Sequence, residues 1–261
     1  MLKIRLIPML FLKNGLIVRS EKFSDFRELG NPVSQLARLN EWNADELIYV
    51  DITRDGDYDL KRDDLKIRGK SDIVSILEEV AKCAFMPLTF GGRIRNLNQV
   101  DEFMAHGADK VIINTGIYKN PSLISEVVNK YGSQALVCGI DVKNENGKYA
   151  MYIENGRTRV GDDPVLYAKK VEALGVGEIF LNSIDRDGMA LGYDISIIKL
   201  ISDNVKIPVI AAGGAGSFED FVKVAKETKV SAIAAGNIFN FTERSYVKAK
   251  KCLKDAGVLV R

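Results

Sequence analysis

The stretch ELIYVDITRDGDYD, residues 46–59, returns further along the chain as EIFLNSIDRDGMALGYD, residues 178–194. Each is an apolar, β-rich run that closes on a polar loop. Two more pairs keep the same order. PLTFGGRIRNLNQVDEF (87–103) is echoed by PVIAAGGAGSFEDF (208–221), and PMLFLKNG (8–15) by VCGIDVKNENG (137–147). Such self-similarity marks a duplicated structural unit. The two halves are about residues 1–130 and 131–261.

Working outward from these pairs, eight short runs read as strands: IRLIPML, ELIYVDI, MPLTF, KVIIN, ALVCGIDV, EIFLNSI, IPVIAA and SAIAAG. Between them lie stretches of helical period, among them PVSQLARLNEWN, SDIVSILEEVAKCA, NLNQVDEFMAHG, DPVLYAKKVEALG and SFEDFVKVAKET. Several begin at Ser, Asp or Asn and end at Gly or Asn, the residues that cap helices. The strands are apolar without clean alternation, as parallel strands buried on both faces are. Eight β/α units in 261 residues make an α/β chain of the (β/α)8 TIM-barrel kind, one domain over 1–261 built from two similar half-barrels. A doubly wound sheet would leave some strands unplaced.

Hydrophobic residues make up 46% and charged residues 28% of the chain, with a net charge of +2. That balance gives no footprint for nucleic acid. The apolar start of the chain is broken by Lys3, Arg5 and Pro8 and is too short to span a bilayer. Three cysteines without paired spacing fit a reducing compartment, so a cytoplasmic protein is expected. Neither a metal nor a cofactor is expected. With His106 the only histidine, Ser-His or Cys-His chemistry has almost no material. His106 sits in MAHGADK before the fourth strand, on the face of a barrel that serves stability.

In a barrel of this kind the chemistry sits at the strand C-termini. Asp51 ends the second strand and Asp141 the fifth, and two aspartates across one mouth can share general acid and base work. The bland alternative for a strand-end Asp is a helix cap. Gly91-Gly92 follows the third strand and Gly213-Gly214 the seventh. Asn114, Thr115 and Gly116 follow the fourth, Gly236 and Asn237 the eighth, and the loop Asp185 to Gly188 the sixth. Glycine pairs at strand ends let backbone N–H groups approach an anion. Two such sets, one per half, point to a ligand phosphorylated at both ends. At the opposite end, Arg5, Glu46, Lys110 and Glu178 start the first, second, fourth and sixth strands, and their alternating signs could close a ring around the axis.

The motifs DELIYVDIT, GADKVIINT, GSQALVCGIDVK, LNSIDRDGMALGYD and AAGGAGSFEDF resemble the cyclase (synthase) subunit of imidazole glycerol phosphate synthase, over essentially the whole chain. The sister isomerase of histidine biosynthesis is the next nearest likeness. The resemblance implies a barrel that docks a glutaminase-type amidotransferase subunit at its bottom, with Asp109 at the docking surface. Ammonia would pass the gate formed by Arg5, Glu46, Lys110 and Glu178 and reach a phosphorylated small molecule at the top. The family's phosphate sites would fall on Gly92, Asn114 and Thr115, and on Asp187, Gly188, Gly214, Gly236 and Asn237.

The same resemblance implies two catalytic aspartates, at the ends of the first and fifth strands. The second is Asp141, with Asp51 as its nearest helper. The first position holds Phe11. Two other departures lie in the same half: Arg93 stands where the family tends to have a third glycine, and the loop 54–72 is long and charged. The gate and the C-terminal half keep the pattern. That distribution resembles a paralogous cyclase-like subunit that works with a glutaminase and a sugar amidotransferase to turn acetamido into acetamidino groups on surface sugars. The alternative is a true cyclase, which converts ammonia and the phosphoribulosyl-formimino bisphosphate of the histidine pathway to imidazole glycerol phosphate.

Overall fold

The protein is seen in a computed structural model that describes residues 3–53, 58, 72–161 and 163–261. Eight parallel strands run in chain order: β1 (Arg5–Lys13), β2 (Leu47–Asp51), β3 (Leu88–Gly91), β4 (Lys110–Ile113), β5 (Leu136–Glu145), β6 (Glu178–Ser183), β7 (Val209–Ala212) and β8 (Ala232–Ala235). Each pairs with the next. β8 pairs with β1, with Arg5 opposite Ala232, so the sheet has no free edge along this path. Closure of this kind removes the unpaired N–H and C=O groups of an open sheet. The helices between the strands form the outer layer, and the architecture is the expected (β/α)8 barrel.

Alternation within each strand divides the buried residues into two sets. Leu6, Leu10 and Leu12 of β1 face outward into the large core shared with the helices. Ile7, Met9 and Phe11 face the axis, where they meet Ile48, Ile112, Val137, Phe180 and Ile210. The predicted helix starts hold. Asn31, Asp72, Asn96, Asp163 and Asp194 each accept a backbone N–H from the first turn, and Ser217 forms a reciprocal capping box with Asp220. Each satisfies donors that the helix cannot.

Two features run beyond the expected strand ends. β1 continues past Leu10 and β5 past Val142, and each folds back into a hairpin, with Leu16–Glu21 and Lys148–Ile153 respectively. The turns are Asn14-Gly15, with φ of 50° and 78°, and Asn146-Gly147, with φ of 54° and 87°. Positive φ at both central residues suits the tight hairpin turn that Asn-Gly favours. Third strands, Asp25–Gly30 and Thr158–Val160, extend each ribbon. The two ribbons follow the first and the fifth barrel strand. Asp141 is therefore followed by a strand continuation, not a loose loop. A last helix, Ser245–Asp255, packs its Tyr246 under the barrel, where the hydroxyl donates to the Leu6 carbonyl at 2.9 Å.

Candidate functional site

At the strand C-termini a cavity of about 230 Å³ opens between the two ribbons. Asp141 lines it, on the inward face of β5. Its two oxygens are held separately: the Asn114 amide donates to Oδ2 at 2.8 Å and the Asn182 amide to Oδ1 at 3.0 Å. Burial pushes the Asp141 carboxyl up to about 6, against the pull of these two hydrogen bonds and of Lys143. Burial disfavours the charged form and donors favour it, and here burial wins. A carboxyl poised there is matched to proton transfer near neutral pH.

The matching position in the other half is different throughout. Phe11 is 6% exposed and meets Phe23 edge-on, ring centroids 5.2 Å apart. Its register neighbour on β2 is Val50, where Asp141 has Asn182 on β6. Val18, Ile112 and Phe180 belong to the same apolar cluster.

Asp51 does not stand across the mouth from Asp141. It shares the outward face of β2 with Tyr49 and is 1% exposed. Its Oδ1 accepts the Thr53 N–H at 2.9 Å and its Oδ2 the Tyr58 hydroxyl at 3.0 Å. Burial raises its pKa, with these hydrogen bonds opposing. The expectation of a second cavity carboxylate at Asp51 is corrected: a strand position one step from Val50 necessarily points the other way, and the side chain holds the following loop.

The two candidate phosphate sets sit in two pockets that share Phe11 as a wall. Gly92, Asn114 and Thr115 line the larger. Gly92 has φ +100°, and an added β-carbon would lie 2.1 Å from the Asp51 carbonyl oxygen, so only glycine fits this turn. The Asn114 amide is committed to Asp141, and the Thr115 hydroxyl accepts the Glu154 N–H at 2.9 Å. Asp187, Gly188, Gly214, Gly236 and Asn237 line the smaller pocket, of about 30 Å³. The first ribbon narrows it. Ser20 donates its hydroxyl to Asp187 at 2.6 Å, and Asn237 donates to the Ser20 carbonyl at 3.0 Å. Burial drives the Asp187 carboxyl up to about 7. These two side chains anchor the ribbon, leaving mainly backbone to meet an anion.

At the strand starts the four predicted charges close a ring. Arg5 reaches Glu46 at 2.8 Å and also pairs with Glu178. Lys110 reaches Glu178 at 3.1 Å and Glu46 at 3.5 Å. Burial works against the Arg5 cation, yet Glu178 and Glu46 outweigh it and raise its pKa above the ordinary value. Beside the ring, Asp109 is exposed and its carboxylate accepts the Leu88 N–H at 2.7 Å. His106 lies on the same side, its ring nitrogens near the Glu102 carbonyl and Glu78.

The sequence profile of a family described as histidine biosynthesis protein matches residues 5–245. The chain belongs to this family. A relative within it, subunit HisF of imidazole glycerol phosphate synthase from Hydrogenobaculum sp. (strain Y04AAS1), is 42% identical over 262 residues, covering the whole of both chains.

As a HisF-like member of the histidine biosynthesis family, the protein carries site residues that its sequence did not single out. Asn182 was passed over because an asparagine inside an apolar strand carries no motif. The strand partner of Asp141 was nevertheless the place to look for what holds it. Arg95 and Arg157 line the larger cavity. The first lies three residues past Gly92, and the second sits on the ribbon that follows the Asn146-Gly147 turn. The loop 54–72 falls outside the described residues apart from Tyr58 and Asp72. Among the described residues, no helix is long and apolar enough to cross a membrane.

Proposed function

We propose that the protein is the barrel subunit of a glutamine-dependent complex, working in the cytoplasm. A glutaminase partner docks over the strand starts, and its ammonia enters through the ring of Arg5, Glu46, Lys110 and Glu178. Asp141 then serves the reaction of that ammonia with a phosphorylated substrate, or hands it to a sugar amidotransferase, at the opposite mouth. The pairs Gly213-Gly214 and Gly91-Gly92, with Asn114, Thr115 and Asn237, border the two anion-accepting ends. The acceptor we favour is an acetamido group, which ammonia converts to an acetamidino group in surface or flagellar sugars.

The observation that carries this choice is Phe11 in its apolar nest. Conversion of an amide to an amidine forms one C–N bond and breaks one C–O bond, and the oxygen leaves as water. Ammonia gives up two protons and the departing oxygen takes up two, and one carboxyl near pH 6 can carry them across in turn. Cyclisation as the family resemblance implies it uses two carboxylates, and losing one positioned acid or base costs roughly 10²–10⁴ in rate.

The test is turnover of the histidine-pathway bisphosphate with ammonium salt as nitrogen source, which needs no partner. We expect no imidazole glycerol phosphate above background from folded protein. The 42% identity to a HisF subunit over the full chain favours the second reading, a genuine cyclase. Product at a rate near the common enzyme value of about 10 s⁻¹ would establish that reading and overturn ours.

A further inference from the structure

Asn182 is fully buried on β6, in register with Asp141, and only half of its amide is used. Its nitrogen donates to Asp141 Oδ1 at 3.0 Å. Its oxygen has no hydrogen-bond partner among the described residues. A buried acceptor without a partner is costly, and native proteins hold few. Asn114, the other amide on Asp141, is placed differently. Its nitrogen is shared between Asp141 Oδ2 at 2.8 Å and the Tyr152 carbonyl at 3.4 Å. Turning Asn114 over would set its oxygen against that carbonyl, so Asn114 is a donor in one orientation only.

The space around the Asn182 oxygen is left by a glycine. A β-carbon on Gly213 would come 2.8 Å from that oxygen and 2.6 Å from the Ser183 carbonyl oxygen. Both oxygens border the same point, and a side chain there would crowd them. The oxygen and the –NH2 of an amide are nearly alike in shape. A half-turn about the last side-chain bond of Asn182 therefore fits the same space. It carries the –NH2 toward the Ser183 carbonyl and the amide oxygen toward Asp141.

We infer that Asn182 is a two-way positioning residue for Asp141, which donates to the ionised carboxylate and turns over to accept the proton that Asp141 takes up on Oδ1. Asn114 keeps donating to Oδ2 in both states. This rests on the reading that Asp141 moves protons, and adds which oxygen carries them. Two fixed donors would favour the charged form alone, and one of them would lose its partner at each protonation. One fixed and one reversible partner hold the side chain in place through both halves of a proton transfer. Burial raises the carboxyl to about 6, so both states are populated near neutral pH. The charged groups around it are Lys143 on the same strand, Asp187 after β6, and Glu154, Arg93, Arg95 and Arg157 on the cavity wall. Their charges help to set where Asp141 titrates; Asn182 sets which of its oxygens is protonated.

Nuclear magnetic resonance on the full chain tests this. The carboxyl-carbon signal of Asp141, identified by its absence in Asp141→Asn, follows the proton as pH is varied. Asn114→Leu removes a donor to the charged form and should raise the midpoint by about 1–2 pH units. Asn182→Leu removes a partner of both forms and should raise it by less than half as much. In the unaltered protein, the nuclear Overhauser contact between the Asn182 –NH2 protons and the Gly213 α-protons should strengthen as pH falls through about 6. Equal shifts in the two variants overturn the proposal, and so does a contact that does not change with pH. The contact needs no substitution, so it decides alone should Asn182→Leu fold poorly. Neither measurement uses glutaminase, ammonia or substrate. Absence of turnover with a contact that changes therefore counts against the proposed function alone, and an unchanging contact in an active enzyme counts against this inference alone.

Discussion

The inner ends of β1 and β5 occupy equivalent places in the two halves and are built on opposite principles. At β5, Asp141 has an amide on each side, from Asn114 and Asn182. At β1, Phe11 has Val50 in register and Phe23 edge-on. The lesson is that a catalytic-looking position is a neighbourhood. Phe11 comes with neighbours of its own kind, Val50, Phe23 and Phe180, where Asp141 comes with two amides.

The largest expected effect follows from that contrast. Phe11→Asp should not create a second acid. It places a carboxylate among Ile112, Val50 and Phe180, without the pair of amides that holds Asp141, and deletes the ring packing. Losing a buried phenyl costs roughly 3–5 kcal/mol, and an unpaired buried charge adds to it. Urea unfolding at pH 7 should show a loss of at least about 4 kcal/mol, with no gain in turnover of the histidine-pathway substrate. Adding Val50→Asn supplies the amide that Asn182 supplies across the barrel. The double variant should regain roughly 1.5–3 kcal/mol, the worth of a hydrogen bond to a charged group. A Phe11→Asp protein as stable as the parent would break the comparison outright.

This contrast also marks how far the sequence could be read. Strand and helix positions were legible because local rules fixed them: the caps at Asn96, Asp163 and Ser217, and the apolar runs between. The charge ring was legible because strand starts share one end of a barrel. Asp51 was misread because a strand-end carboxylate looks the same in sequence whether it faces the axis or the helices, and one residue of register separates the two. Asn182 was missed because its importance lies in what stands beside it in space. The anchoring of the first ribbon by Asp187 and Asn237 links residues far apart in the chain, for which no local pattern exists.

The ring at the strand starts is shared by both halves, so it sharpens the comparison by exclusion. Lys110→Met should leave the mouth intact and uncouple glutamine use from product in the complex, read as glutamate released per product formed. Breaking one member of a buried ion pair costs roughly 3–5 kcal/mol. Lys110 is 21% exposed at the side chain, which puts the expected loss of stability at the lower end. Unchanged coupling would reduce the ring to a structural feature.

The pH dependence of stability should also divide along the same line. Asp141 titrates at about 6 in the folded protein and near 3.8 when unfolded. Between those values the folded state holds the proton and the unfolded state has lost it. Stability contributed by the neutral carboxyl is therefore full below about pH 4 and is lost as pH rises toward 6. Asp141→Asn removes that loss, so relative to the parent it should gain on the order of 2–3 kcal/mol between pH 4 and pH 7. Denaturant titrations at the two pH values measure it. Phe11→Leu, which changes no titrating group at the equivalent place, should show no such divergence. A flat difference for Asp141→Asn would mean the amides of Asn114 and Asn182 hold the carboxylate ionised at an ordinary pKa.

The smallest effect is expected at Arg93, and its size is the point. Glycine relieves the left-handed backbone at φ +62°, worth roughly 1–2 kcal/mol. It also frees the unfolded chain, which costs roughly 0.4–1 kcal/mol. Arg93→Gly should therefore leave stability unchanged or raise it by up to about 1.5 kcal/mol. A residue whose replacement does not destabilise the fold is not kept for the fold. The arginine would then be held in an unfavourable conformation for what it does at the cavity it lines. A clear loss of stability would instead make Arg93 a strut for the loop beside Asp51, and the two halves would then differ in packing alone.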